Sequence, residues 1–169
     1  ASGTEYSIHG IGLPIILLPG YALAGLTGVV VTLAALGAIL VRSLFTATVA
    51  IGAGYSSAIL VCAAFVFTAP TLFLSLSVYP ELPTAVIVTL VAVRILQTQK
   101  SAPAAVFGWS LLVGTLPFFH MKFIPLAFIL WSALAIRLRH RRSLAFGCGL
   151  SLLLLTCFFF VTTGSVDPT

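Results

Sequence analysis

Long apolar runs separated by short polar turns set the pattern of this chain. A helix needs about 20 mostly apolar residues to cross roughly 30 Å of hydrocarbon at 1.5 Å per residue. The first run of that length is residues 22–41, closed by Arg42. Residues 44–78 follow and are too long for one ordinary helix. Gly52, Gly54 and Tyr55 predict a turn or an interfacial piece there, before a span near residues 57–76. "YPELP", Tyr79 to Pro83, predicts a loop at one membrane surface, because two prolines around a carboxylate remove helical backbone bonds.

Residues 84–96 form the next run, with Arg94 placed to snorkel toward the nearby interface and Gln97, Gln99 and Lys100 beyond it. Residues 104–118 end at "FFHMKF", and residues 124–136 lead into "RLRHRR", Arg137 to Arg142. Both runs are short, which predicts either strongly tilted helices or a single span with an interfacial arm. Residues 144–161 are long enough to cross and precede a polar tail containing Asp167. The expected fold class is therefore all-α: a polytopic integral membrane bundle of six spans. A short interfacial helix precedes them, in an outer lead-in segment over 1–21; the bundle covers 22–163 and the tail 164–169.

Threading the runs alternately through a bilayer tests this plan. Arg42, Arg94, Lys100, Arg137, Arg139, Arg141 and Arg142 fall on one side, while Glu5, Glu81, Asp167, His9, His120 and Lys122 fall on the other. Seven of the eight basic residues share a face, so the positive-inside rule makes that face cytoplasmic and puts the start of the chain outside. The first long run contains Gly25, Gly28 and Gly37, which predict close helix packing.

Composition agrees with a membrane chain. Hydrophobic residues make up 60% and charged residues 7%, with a mean hydropathy of +1.22, whereas soluble domains carry roughly 25% charged residues. The net charge of +5 does not point to nucleic acid, because the basic residues lack an aromatic-interleaved face. Cys62, Cys148 and Cys157 lie inside apolar runs without CxxC spacing, which argues against metal binding and a disulfide framework. The first ten residues lack the order of a signal peptide and do not begin with methionine, so further residues upstream are expected.

Candidate chemistry gathers on the outer face. Glu81 stands between two prolines, His120 and Lys122 share the following outer turn, and His9 lies in the lead-in segment. Acid, imidazole and ammonium at one surface suit an anionic headgroup or a proton transfer. All four also fit ordinary interfacial residues with no further role. No GxSxG, HExxH or P-loop motif is present. "RLRHRR" reads as a loop that fixes orientation or holds anionic headgroups.

"YSIHGIGLPIILLPGYALAG", "FTAPTLFLSLSVYPELPTAVIVTLVAVRIL" and "LLVGTLPFFHMKFIPLAFILWSALAIRLRHRR" occur in that order, across about residues 5–142. The order resembles the early membrane region of bacterial GT-C glycosyltransferases, similar to protein mannosyltransferases and aminoarabinose transferases. The resemblance implies sugar transfer from a polyprenyl-phosphate donor at the outer face of the bacterial cytoplasmic membrane. It implies a substrate-binding role for Glu81, His120, Lys122 and His9, no cofactor, and membrane lipid as a partner. In that family the catalytic Asp or Asp-Glu pair lies in the first outer loop, a position upstream of Ala1 here; Glu5 stands in no such pair, and the catalytic residues are unassigned. The same resemblance makes Gly10, Gly12 and Pro14 a redirecting turn. The competing class is a non-catalytic transmembrane subunit packed with other membrane proteins in a respiratory or photosynthetic complex. A small transporter would show broken helices in two repeated halves, which the sequence lacks.

Overall fold

The computed structural model describes residues 10–68, 78–97, 102–138 and 140–163, and all regular structure in them is helical. The order is α1 (Gly12–Ala50), α2 (Tyr55–Val66), α3 (Glu81–Leu96), α4 (Pro103–Gly114), α5 (Leu116–Phe119), a 3-10 turn (Met121–Phe123), α6 (Ile124–Arg137) and α7 (Arg141–Thr163). Two of these, α1 and α7, are long and apolar enough to cross a membrane. Most of their surface faces outward, as lipid-facing helices require: Leu23 is 89% and Val161 82% exposed.

Proline placement explains several helix starts. Pro103 opens α4, Pro117 lies in the first turn of α5 and Pro125 in that of α6, where the missing N–H is one that a helix cannot use anyway. The same logic revises the expected "YPELP" loop. Pro80 flanks α3 and Pro83 sits within its first turn, so the helix begins at Glu81 and only Tyr79 and Pro80 stay outside it.

Two breaks differ in position from the sequence expectation. Helix α1 does not end at Arg42 but continues through Ala50, and the chain turns at residues 51–54 with Gly52 at φ 95°. A single arginine leaves helical hydrogen bonds intact, whereas a positive φ does not. Helix α1 is itself interrupted at Ala24 and Gly25, with Gly25 at φ 57°, ψ −138°. That conformation is open to glycine and strained for side chains.

The consequence is a helical hairpin. Residues 12–23 fold back on residues 26–50 so closely that a methyl group on Gly20 or Gly28 would overlap the backbone of the other. The redirecting turn therefore lies at Gly25 instead of at Gly10, Gly12 and Pro14. Gly28 packs as expected, while Gly25 forms the turn and Gly37 faces open space.

The remaining helices pack along this hairpin. Helix α2 returns beside α1, with the Phe45 and Tyr55 rings 6.1 Å apart and the Cys62 thiol donating to the Val41 carbonyl at 3.7 Å. Phe45, Thr46, Val49 and Ala50 share a cleft with Leu96 and Gln97, so α1 and α3 finish at the same end. Helices α4 and α7 run parallel: Ser110 Oγ donates to the Leu144 carbonyl at 2.9 Å, Gly114 faces Ser151, and the Phe118 and Phe158 rings stand 5.8 Å apart. Trp131 Nε1 on α6 donates to the Ser110 carbonyl at 3.0 Å. These buried bonds join three helices, so each satisfied polar group replaces a costly orphan. Leu13, Leu33, Val86, Val91, Val113 and Leu134 belong to the apolar core.

Candidate functional site

Three of the four candidate residues meet at one end of the bundle. Glu81 is the first residue of α3, and its position there suits the partial positive charge of a helix N-terminus. His120 and Lys122 come from the break between α5 and α6, where His120 is extended (φ −168°, ψ 140°) and interrupts the helix. Lys122 Nζ lies 2.6 Å from Glu81 Oε1, an ion pair across 41 positions of sequence. The Lys122 backbone N–H donates to His120 Nδ1 at 3.1 Å, which leaves the ring hydrogen on Nε2 as a donor.

Phe123 packs against both side chains. Lys122 Nζ stands 5.1 Å from its ring centroid, and the His120 ring meets it edge-on at 6.3 Å. Arrangements of this kind are attractive because the ring face carries negative charge. The Lys122 side chain is 49% and the Glu81 side chain 33% exposed, so the pair faces water on one side. Burial alone pushes the Glu81 carboxyl up, but the hydrogen bond and charge of Lys122, its own backbone N–H and the nearby His120 together hold it below its ordinary 4.5. Glu81 Oε2 is buried and accepts no hydrogen bond.

Beside the cluster lies a cavity of about 540 Å³, lined by Gly10, Leu13, Pro14, Tyr79, Pro80 and Phe119 among others. Pro80 and Phe119 are the chain neighbours of Glu81 and His120, while Glu81, His120 and Lys122 are not themselves part of its lining. Its size falls in the usual range for small-molecule sites, and a mostly apolar wall with a few polar groups is their usual character. The start of the chain closes one side: any side chain at Gly10 would strike the Phe118 backbone. The roles of Tyr79 and Phe119 were not singled out from sequence, although "YPELP" and "FFHMKF" contain them. His9 lies outside the described residues, as do Glu5 and Asp167.

The flanking helices rise past this cluster. Residues 26–50 form about 37 Å of helix against about 24 Å for α3. With their C-terminal ends level, the longer helix passes Glu81 by about 13 Å. On the other side α7 continues beyond Phe158, the residue level with Phe118. The ion pair therefore lies below the tip of the α1 hairpin and stays partly open to water. Among the described residues, no group of three His, Cys, Asp or Glu side chains is placed to hold a metal ion. No protein-family model, curated protein or solved structure matches this chain.

Proposed function

We propose that this chain is part of a multi-pass glycosyltransferase of the bacterial cytoplasmic membrane, resembling the GT-C enzymes, and that it holds a polyprenyl-phosphate sugar donor at the outer face. The observation that carries the reading is the Lys122–Glu81–His120 cluster, whose chain neighbours Pro80 and Phe119 line an apolar cavity. A polyprenyl phosphate is an apolar chain ending in an anion, and it needs both surfaces next to each other. In this reading α1, α2, α3, α4 with α5, α6 and α7 make six crossings, and residues 12–23 stand as the additional helix before the first. The short helices α3 and α6 cover about 24 and 21 Å of the roughly 30 Å of hydrocarbon, which favours a depression where they end.

Each side chain has a defined task. Lys122 carries three N–H donors; one serves Glu81, and two are left for phosphate oxygens. His120 Nδ1 accepts from the Lys122 backbone N–H and so fixes the turn that presents the ammonium. Glu81 Oε1 holds the Lys122 ammonium in place, while Oε2 is shut off from solvent. Glu81 therefore positions the cation that meets the donor phosphate and leaves the acid–base step to a carboxylate elsewhere in the enzyme.

The same observation favours a second reading. Glu81 is the one acid among the described residues and is tied to Lys122, as suits a non-catalytic subunit that contributes helices to a larger membrane complex. A transfer assay separates the two. In membranes carrying the full protein, label from a polyprenyl-phosphate hexose should move to a polar acceptor. Glu81→Gln and His120→Ala should each lower that rate at least tenfold. Transfer unchanged in both variants would show that the cluster does not hold the donor, and no transfer by the unaltered protein would favour the subunit.

A further inference from the structure

At the end of the bundle opposite Glu81, α4 and α7 begin side by side around a second cavity of about 460 Å³, lined by Pro103, Ala104, Phe107, Arg142, Ser143 and Phe146. The Phe107 and Phe146 rings stand 5.8 Å apart and form its aromatic wall. Arg142 supplies a cation at its rim, with Arg141 and His140 next to it in the chain and Arg137 at the end of α6. Arg94 is engaged at this end with the Gln97 carbonyl, at 3.0 Å.

No described carboxylate stands here to neutralise these charges. The described acid, Glu81, belongs to the opposite end, and the ion pair between described residues is the one it makes with Lys122. An anion from outside the described residues can therefore approach these charges without competition from a described acid. Arg142 at the rim of an apolar, aromatic-walled cleft between two helices, with the exposed Arg141 next to it in the chain, suits one occupant, an amphiphile with an anionic headgroup.

We propose that this cleft binds an anionic phospholipid of the cytoplasmic leaflet, with its phosphate on Arg141 and Arg142 and an acyl chain against Phe107 and Phe146. The inference rests on the reading that the chain spans the membrane with its basic end inside. It does not depend on the sugar donor. Each basic residue near an anionic membrane surface contributes about fivefold in binding, so the two arginines together account for roughly 25-fold.

The test uses the full protein, purified and delipidated in a neutral detergent. Native mass spectrometry measures retention of dioleoyl phosphatidylglycerol against dioleoyl phosphatidylcholine, which have the same acyl chains. Phosphatidylglycerol should bind at least tenfold tighter. An Arg141→Gln, Arg142→Gln double variant with unchanged helical circular dichroism should lose most of that preference while its phosphatidylcholine binding stays the same. Soluble glycerophosphoglycerol should not compete, because it lacks the chain that fills the cleft. Equal retention of the two lipids would overturn the proposal, as would full phosphatidylglycerol binding by the double variant or competition by the soluble headgroup. Lys122→Gln lies at the other end and should leave phosphatidylglycerol binding intact; loss there would move the headgroup to the donor site. Failure of the donor reading shows up separately, in sugar transfer.

Discussion

Glu81 lies about 40 positions from His120 and Lys122, yet the three share one contact network of 2.6 and 3.1 Å. Alternate threading of the apolar runs had put them on one face, and that much was legible because prolines and a histidine mark where the helices stop. The ion pair was not legible, since no spacing rule relates positions 81 and 122 on different helices. Its energetic part is modest, because exposed pairs are screened by water. The sign of its pH dependence follows from the depressed Glu81 value. The contribution is present in full above 4.5, the ordinary carboxyl value, and is lost as pH falls through the lower folded-state value. Thermal unfolding in detergent should therefore show a larger loss of Tm between pH 5 and pH 3 for the unaltered protein than for Glu81→Gln. Equal losses would mean that the pair adds nothing to stability.

At the scale of elements, the helices bounded by polar punctuation were readable and those bounded by backbone geometry were not. Residues 84–96, 104–118 and 124–136 correspond closely to α3, α4 with α5, and α6. The hairpin of α1 was hidden because residues 13–41 contain no charge, and hydropathy cannot tell a glycine that turns the chain from one that packs. Arg42 misled for the opposite reason: charge was read as a boundary, but an exposed arginine on a helix side is compatible with the helix continuing to Ala50. The contact between Gly20 and Gly28 predicts a contrast between neighbouring glycines. Gly28→Val drives a side chain into the Gly20 backbone and should cost about 1–3 kcal/mol. Gly37→Val enters open space and should stay within about 0.5 kcal/mol. Chemical denaturation of the two variants checks this, and equal effects would contradict the hairpin. The seam of Ser110, Trp131 and Ser151 also escaped sequence reading, because single serines and a tryptophan in apolar runs carry no periodic signal.

For the whole molecule, the distribution of charge and the arrangement of helices describe one object with two unlike ends. One end holds a partly exposed ion pair, and the other presents arginines that have no described acid beside them. Sidedness can be checked on a background in which Cys62, Cys148 and Cys157 are replaced. Tyr79→Cys should react with an impermeant thiol reagent added outside intact cells, whereas His140→Cys should react only after the membrane is opened. Labelling of both from the same side would refute the alternating plan. The central claim is that the Lys122–Glu81–His120 cluster receives an apolar chain ending in a phosphate. Its most direct test is the affinity of the purified protein for undecaprenyl phosphate, compared with undecaprenol, which has the same chain and no charge. The account predicts that the phosphate binds at least tenfold tighter and that Lys122→Gln removes the difference. Equal affinity for the two lipids, or a preference that survives the loss of Lys122, would contradict it.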